Sequence, residues 1–547
     1  VGHLAFYVDS TGTIQHGWTN VKSFGAVGNV TTDDLAKIRL AVAASGKIIY
    51  FPDGTYAVSD SILIPAGKTL MGFSRKATIK QTVALKRTLV LGGDSISVVG
   101  LHLRGFAKTD TNTILRGGAW TTWIAAAITP LNATIKHFVI KDCKIEYFGS
   151  VAVGAYYNSI IENNDIGNCG NEAIYIRGNS NIVKKNNIYD CGANGIDTNG
   201  SWNIIEANYI HAIRSTLFDL SDCYGICLNA NTTVGNTNNN IIKSNIIDSC
   251  GGSGIWLTNT TGLTTKHLMN NNIISGNIIN GNNQGAGFDE LYNAGIMVVT
   301  NDDTLACYNV VSGNIIYENL GHGISFYGGS YNEISNNQIY DNGISGIKMI
   351  SGSALCMKYN TISNNKIINN LKYGIQFGLS DAALFPALNT VTANMVVDND
   401  STAIRETSSK GNIIGMNNLG TKVFTFANSD FKIEGRLAIS GIVTVDSLRN
   451  YQTTSVFADD ETLLPIPASV SGWGVVHATA IDDSGEPVYF PFRFLASGGV
   501  YALTDYSSSS CASADTDGKL CIYNTGTTIT IKNRLGGSRL LKISLHY

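Results

Sequence analysis

Proline is nearly absent from this sequence, 8 residues in 547, and charge is thin, with Asp, Glu, Lys and Arg at 14% where about 25% is usual. So little proline beside 58 glycines excludes collagen-like and proline-rich disordered chains and fits many strands joined by tight turns. A net charge of −3 excludes the basic footprint of a nucleic-acid binder. No apolar run approaches the ~20 residues of a membrane-spanning helix, so no membrane insertion is expected. The ten cysteines include no CxxC pair and no Cys/His cluster at zinc spacing, so neither a metal nor a cofactor is expected. The chain opens on Val1, without initiator Met or signal-peptide pattern, and reads as part of a longer protein.

A chain of this length exceeds one ordinary core unless a repeat extends the core along an axis. Residues 160–420 contain that repeat. One element is Asn-x-apolar, at Asn164, Asn186, Asn208, Asn245, Asn277, Asn314, Asn337, Asn365 and Asn394. A small residue followed by an aliphatic one answers each: Ala173-Ile174, Gly195-Ile196, Gly225-Ile226, Gly254-Ile255, Gly295-Ile296, Gly323-Ile324, Gly346-Ile347, Gly374-Ile375 and Ala403-Ile404. A fixed period of this size signals a solenoid. Ile and Val alternate with polar residues at period two, the strand signature, and the shortest step is too short for a helix. Leucine-rich repeats share the period and the Asn but need Leu positions missing here. The reading is a parallel β-helix, right-handed because parallel crossovers nearly always are. Cys169, Cys191 and Cys250, each followed by Gly, take one equivalent site in the repeat and read as stacked, buried small side chains rather than disulfides or metal ligands.

At the N-terminal side stand Val21-Lys22-Ser23-Phe24-Gly25-Ala26-Val27-Gly28, then Thr32-Asp33-Asp34, a helical stretch over about 33–45, and Tyr50-Phe51-Pro52-Asp53-Gly54-Thr55-Tyr56. Thr32 or Asp33 suits the N-cap, and the helix would cover the open end of the stack. This stretch resembles the pectate-lyase-like entry module of phage tailspikes and of related polysaccharide lyases and glycosidases. It departs from their pattern at Ser23 and at Gly28-Asn29-Val30-Thr31-Thr32. The resemblance implies a fold and a substrate class but no particular chemistry, since lyases, hydrolases and epimerases share it. Residues 430–547 read as all-β and resemble the C-terminal domain of tailspikes. The expected fold is therefore all-β: a right-handed parallel β-helix (91–425) with a short N-terminal helix cap (21–90) and a C-terminal, sandwich-like trimerisation domain (430–547). Residues 1–20 would be the junction to a virion-attachment domain.

Function should concentrate where rungs exceed the minimum. Two insertions do, 211–224 and 281–293. Glycoside hydrolysis needs two carboxyl groups about 5–9.5 Å apart, and rungs stack about 4.8 Å apart, so acids on one face of neighbouring rungs fall in range. The candidate catalytic acids are Asp222 with Asp219 first, where like-charge proximity would raise one pKa, then Asp197, which should point outward, and Asp289 and Glu290. Candidate substrate-binding residues are Glu172, Tyr175, Arg177, Trp202, His211, Arg214, Tyr224, Trp256, Phe288 and Tyr292. The resemblance implies a homotrimeric, extracellular virion protein whose partners are a bacterial surface polysaccharide, O-antigen or capsule, and the phage tail or baseplate. The expected activity is endo-glycosidic hydrolysis. A polysaccharide lyase using His211, Arg177, Arg214 or Tyr224, a non-catalytic adhesin, and a site shared between subunits are the alternatives.

Overall fold

The computed structural model describes residues 7–8, 14–15, 18–106, 125–214, 223–231, 235–259, 267–283, 293–300, 305–350, 357–378, 386–407, 412–415, 417–419 and 424–427, and the backbone of nine strands between 450 and 546. The chain divides into two compact units, Val1–Asp430 and Phe431–Tyr547.

The first unit is a parallel β-helix. Each rung lays down three short strands; in one they are Ile160–Glu162, Asp165–Gly167 and Ile174–Ile176. Stacked rungs form sheet I with 15 strands and sheets II and III with 14 each among the described residues. Pairing is parallel and in register, so Ile161 faces Val183 and Ile166 faces Ile188 across one rung step. Their inward side chains form one continuous core, with Ile161, Ile166, Ile174 and Ile176 wholly buried. β-branched residues dominate because they suit a pleated surface packed on one side.

Asparagine, not only hydrophobic burial, fixes the corners. The Asn-x-apolar asparagines form a ladder in which each side-chain carbonyl accepts from the backbone N–H and the amide of the asparagine one rung earlier. Asn186 Oδ1, for example, lies 3.0 Å from Asn164 N and 2.9 Å from Asn164 Nδ2. The chain from Asn164 to Asn417 is unbroken. A second ladder runs from Asn181 to Asn412 before sheet I. A third, Asn282 to Asn399, follows sheet II. The cysteines occupy the earlier rungs of this third corner: Cys250 N–H donates to Asn282 Oδ1 at 3.0 Å. Cys169, Cys191 and Cys250 are buried free thiols, as the repeat implied.

The small residue before each Ile also has a steric cause. A Cβ on Gly323 would lie 2.4 Å from Ile339 Cγ2, on Gly346 2.4 Å from Ile367 Cγ2, and on Gly225 2.4 Å from Ile247 Cγ2. Sheet II's isoleucines fill the space a side chain would need, and at these positions backbone must approach core directly.

The helix at the N-terminal end spans Leu35–Ala43, and Leu35, Ile38, Ala41 and Val42 join the core. The N-cap residue is Asp34, one beyond the expected Thr32 or Asp33. Its carboxylate does not cap the helix; it accepts from the Val27 and Gly28 amides at 2.6 and 2.9 Å, while Asp33 accepts from Leu35 N–H at 3.1 Å. These acids hold the entry turn, a structural duty. The second unit contains a five-stranded and a four-stranded sheet, antiparallel except where Cys511–Ala512 runs parallel to its neighbour.

Candidate functional site

Connection length singles out one sheet. From Glu162 to Thr392, every turn from sheet I to sheet II is two residues long, as at Asn163-Asn164 and Gly276-Asn277. The connections entering and leaving sheet III vary widely. Entry takes residues 168–173 in the bare rung but 212–225 and 281–293 in the two inserted rungs. Both insertions expected from the repeat thus lead into the same sheet.

Because Ile174 and Ile176 point into the core, the residue between them points out, and parallel register stacks that position into a column. Reading along it gives Tyr175, Asp197, Cys227, Trp256, Met297, Ser325, Lys348, Gln376 and Arg405. Outward residues of sheets I and II are largely half-buried or exposed, whereas Asp197, Cys227, Met297, Ser325 and Lys348 are buried. Several polar atoms along sheet III find no hydrogen-bond partner among the described residues although buried: Asp197 Oδ1, Asn199 Oδ1, Ser253 Oγ, Asn293 Oδ1 and Ser325 Oγ. Groups left this way cost free energy.

The first rungs of the column gather six of the expected site residues. Asp197 faces Tyr175 across one rung step, about 4.8 Å, and Glu172 lies three residues before Tyr175. Both acids are buried, at 7% and 1% exposure. Burial pushes the Asp197 carboxyl well above the usual carboxylate range, and the charge of Glu172 adds to the rise; the hydrogen bond from Asn194 Nδ2, at 3.3 Å, and the charge of Arg177 oppose it less strongly. Tyr175 is also pushed up, by burial and then by the Asp197 charge. Its hydroxyl accepts from Asn199 Nδ2 at 2.8 Å, and the Arg177 guanidinium lies 5.7 Å from its ring. Two rungs on, Tyr224 packs against Trp256 with ring centroids 4.0 Å apart, while Tyr224 N–H donates to Asn194 Oδ1 at 3.1 Å. An acid with a raised pKa beside a second acid, next to an aromatic shelf, has the chemistry of a proton donor to a bound sugar.

Three expected residues stand elsewhere. Trp202 lies on the turn between sheets III and I with 62% exposure. His211 ends a sheet II strand, stacked on Tyr209 at 4.3 Å and Tyr189 at 5.8 Å. Arg214 donates to Ser249 O at 3.4 Å. None belongs to the outward column, because the turn into sheet III begins beyond His211. Asp219, Asp222, Phe288, Asp289, Glu290 and Tyr292 lie outside the described residues. Within the described residues, a like-charge effect of this kind acts between Glu172 and Asp197. The repeat reading missed Asn194, Asn199, His322, Ser325, Lys348, Gln376 and Arg405. The position after each small-residue–Ile pair marks Ser325, Lys348, Gln376 and Arg405.

A family described as right-handed beta helix region matches residues 131–306 and 270–394, and one described as rhamnogalacturonase A/epimerase, pectate lyase-like, matches residues 18–212. The tailspike protein gp208 of Dettilon is 14% identical, over 97% of this chain and 94% of that one, with a TM-score of 0.51. The chain has the right-handed β-helix fold of phage tailspikes. The same fold links it to the A-module of a mannuronan C-5 epimerase of Azotobacter vinelandii, 17% identical over 73% of this chain and 98% of that one, TM-score 0.50. In sequence, 79 residues, 14% of the chain, are 39% identical to the pre-neck appendage protein of Bacillus phage B103. The chain spans less than a tenth of the length of the curated relatives it matches.

Proposed function

We propose that this β-helix is a virion-borne depolymerase that binds a bacterial surface polysaccharide along sheet III and cleaves it as an endo-glycosidase. One observation carries this reading: Asp197 is buried on the sheet whose connections vary on both flanks, one rung from Tyr175, with one carboxyl oxygen lacking a partner among the described residues and Glu172 close enough to oppose its ionisation. Asp197 is the general acid that protonates the glycosidic oxygen. Glu172 is the second carboxyl group, keeping Asp197 protonated and serving as base or nucleophile. Trp256 and Tyr224 receive a sugar ring. The tailspike neighbours and the pectate-lyase-like match favour a polysaccharide as the ligand, and with them a homotrimer attached to a phage tail.

Purified surface polysaccharides, incubated with the protein and examined by mass spectrometry, test the reaction. Hydrolysis yields oligosaccharides heavier by one water per cleavage. A product absorbing near the ultraviolet edge would instead assign β-elimination, for which Arg177 beside Tyr175 offers a cation and a phenol. Polymer of unchanged length, still bound, would make the protein an adhesin.

A further inference from the structure

The corner between sheets III and I carries large rings where the backbone does not favour them. The residue before each asparagine of the second ladder is left-handed, with φ between 54° and 64° from Ser180 to Leu388. Asn and Gly accept that conformation readily and bulky residues do not, yet Trp202, Tyr308, Tyr331, Tyr359 and Leu388 hold it. At the matching corner between sheets I and II the left-handed residues, such as Asn163, Ala207, Ser244, Gly276 and Asn364, include no aromatic one. The fold therefore does not require rings at such a position. Trp202, Tyr308, Tyr331 and Tyr359 are also all exposed, so burial does not explain them.

The tyrosines stack in order. Tyr308 lies on Tyr331 and Tyr331 on Tyr359, with centroids 5.2 and 5.0 Å apart and planes within 25° of each other. That spacing is close to the rung spacing, so the rings lie across the axis of the stack. The face of Tyr308 turned away from Tyr331 therefore looks along the column, past Asn271 and Asn239, toward Trp202. Trp202 stacks on no ring among the described residues. Three rung steps, roughly 14 Å at the usual strand spacing, separate Trp202 from Tyr308, with no ring between them. The result is a cleft bounded by two aromatic residues and floored by two asparagines. Asn271 is exposed and Asn239 half-buried, and neither side-chain amide bonds to a described residue. The four residues carry no charge. Trp202 also follows Asp197 by only five residues on the same rung, at most about 17 Å of extended chain.

We propose that the cleft between Trp202 and Tyr308 is a second carbohydrate subsite, which holds sugar units of the polysaccharide beyond those flanking the bond broken at Asp197. The inference rests on the reading of a surface polysaccharide as the ligand. A sugar ring presents apolar C–H groups on its faces and hydroxyls around its rim. The first pack on an open aromatic face; the second meet the Asn239 and Asn271 amides, each of which can donate and accept. A chain that crosses sheet III at Asp197 reaches this corner on the same rung. The corner lies away from the acids, so it contributes binding and register rather than proton transfer.

The test uses an array of purified capsular and O-antigen polysaccharides. Binding is measured with Asp197→Asn protein, which holds substrate without turning it over. Trp202→Asn and Tyr308→Asn are then added singly; Asn already occupies this position on neighbouring rungs, so each variant should keep the parent's circular dichroism. Each should lower affinity for the bound polymer about fivefold, the scale of one aromatic contact. Tyr359→Asn, two rungs beyond the cleft, should leave affinity unchanged. Parent affinity in both Trp202→Asn and Tyr308→Asn overturns the subsite alone. So does a loss in Tyr359→Asn as large as in Tyr308→Asn, which would assign binding to the tyrosine stack and not to the cleft. A lower sedimentation coefficient in Trp202→Asn with unchanged glycan affinity also overturns it, and assigns the rings to contact between copies of the chain. Binding to no member of the array overturns the polysaccharide reading, and the subsite with it.

Discussion

Glu172 and Asp197 occupy successive rungs of one face, and the negative charge of the first helps hold the carboxyl of the second in its protonated form. If Asp197 is the general acid, activity falls on the alkaline side as Asp197 loses its proton. Glu172→Gln removes the second carboxyl group and lowers kcat; because it also removes the opposing charge, the Asp197 pKa drops and the alkaline limb of the residual kcat/KM profile shifts to lower pH. Asp197→Asn should lower kcat about 10²–10⁴-fold with little change in glycan affinity. An unmoved limb in Glu172→Gln would separate the two acids functionally.

The same residue gives a stability prediction of opposite sign to its effect on activity. The folded-state pKa of Asp197 is raised, so the native state holds this proton more tightly than the unfolded chain does. Stability contributed by the group is present below the unfolded value, about 3.9, and is lost as pH rises through the folded value. Asp197→Asn has no such loss. Thermal unfolding should show the variant melting above wild type at pH 8, with the gap closing near pH 4.

Much of this was legible before the structure. The Asn164–Asn394 positions and the small-residue–Ile pairs named the β-helix, because a stacked ladder forces one residue type to recur at one place in every rung. The Asn181–Asn412 ladder was equally periodic, but it precedes strands that the chosen repeat element did not include. The Glu172–Asp197 relation was half legible: the repeat placed Asp197 outward, but only three-dimensional burial distinguishes it from a solvated turn acid. His211 misled because it opens an insertion in sequence while remaining the last residue of a sheet II strand in space. Lys348 and Arg405 carried a signal, the residue after each small-residue–Ile pair, that becomes meaningful once sheet III is known to be the variable face.

Steric exclusion at the glycine column gives a prediction independent of function. Gly323→Ala places a methyl 2.4 Å from Ile339 Cγ2 and 2.7 Å from Gly346 O, where neither a packed isoleucine nor backbone yields cheaply. The expected cost is about 1–3 kcal/mol, read as a lower urea midpoint with unchanged slope. Gly415→Ala, whose added Cβ meets nothing within 4 Å among the described residues, should leave the midpoint in place.

The middle of the first asparagine ladder should be its most sensitive part. Asn277 Oδ1 accepts from Asn245 N and Nδ2 at 2.9 and 3.0 Å, and its Nδ2 donates to Ile242 O and Asn314 Oδ1 at 3.0 and 2.9 Å. Asn277→Ala strips the buried Asn245 N–H of its acceptor and the Ile242 carbonyl of this donor. At about 1–3 kcal/mol for each buried group left unsatisfied, the loss is roughly 2–6 kcal/mol by urea unfolding. Asn277→Asp keeps the shape but turns a donor into an anion facing two acceptor oxygens, so at neutral pH it should be the worse variant. Its buried carboxyl would have a raised folded-state pKa, so stability should return as pH falls, when protonation restores one donor. Asn277→Ala has no proton to gain and should show no such recovery, so unfolding both variants at pH 5 and pH 8 separates loss of a hydrogen-bond donor from loss of side-chain volume.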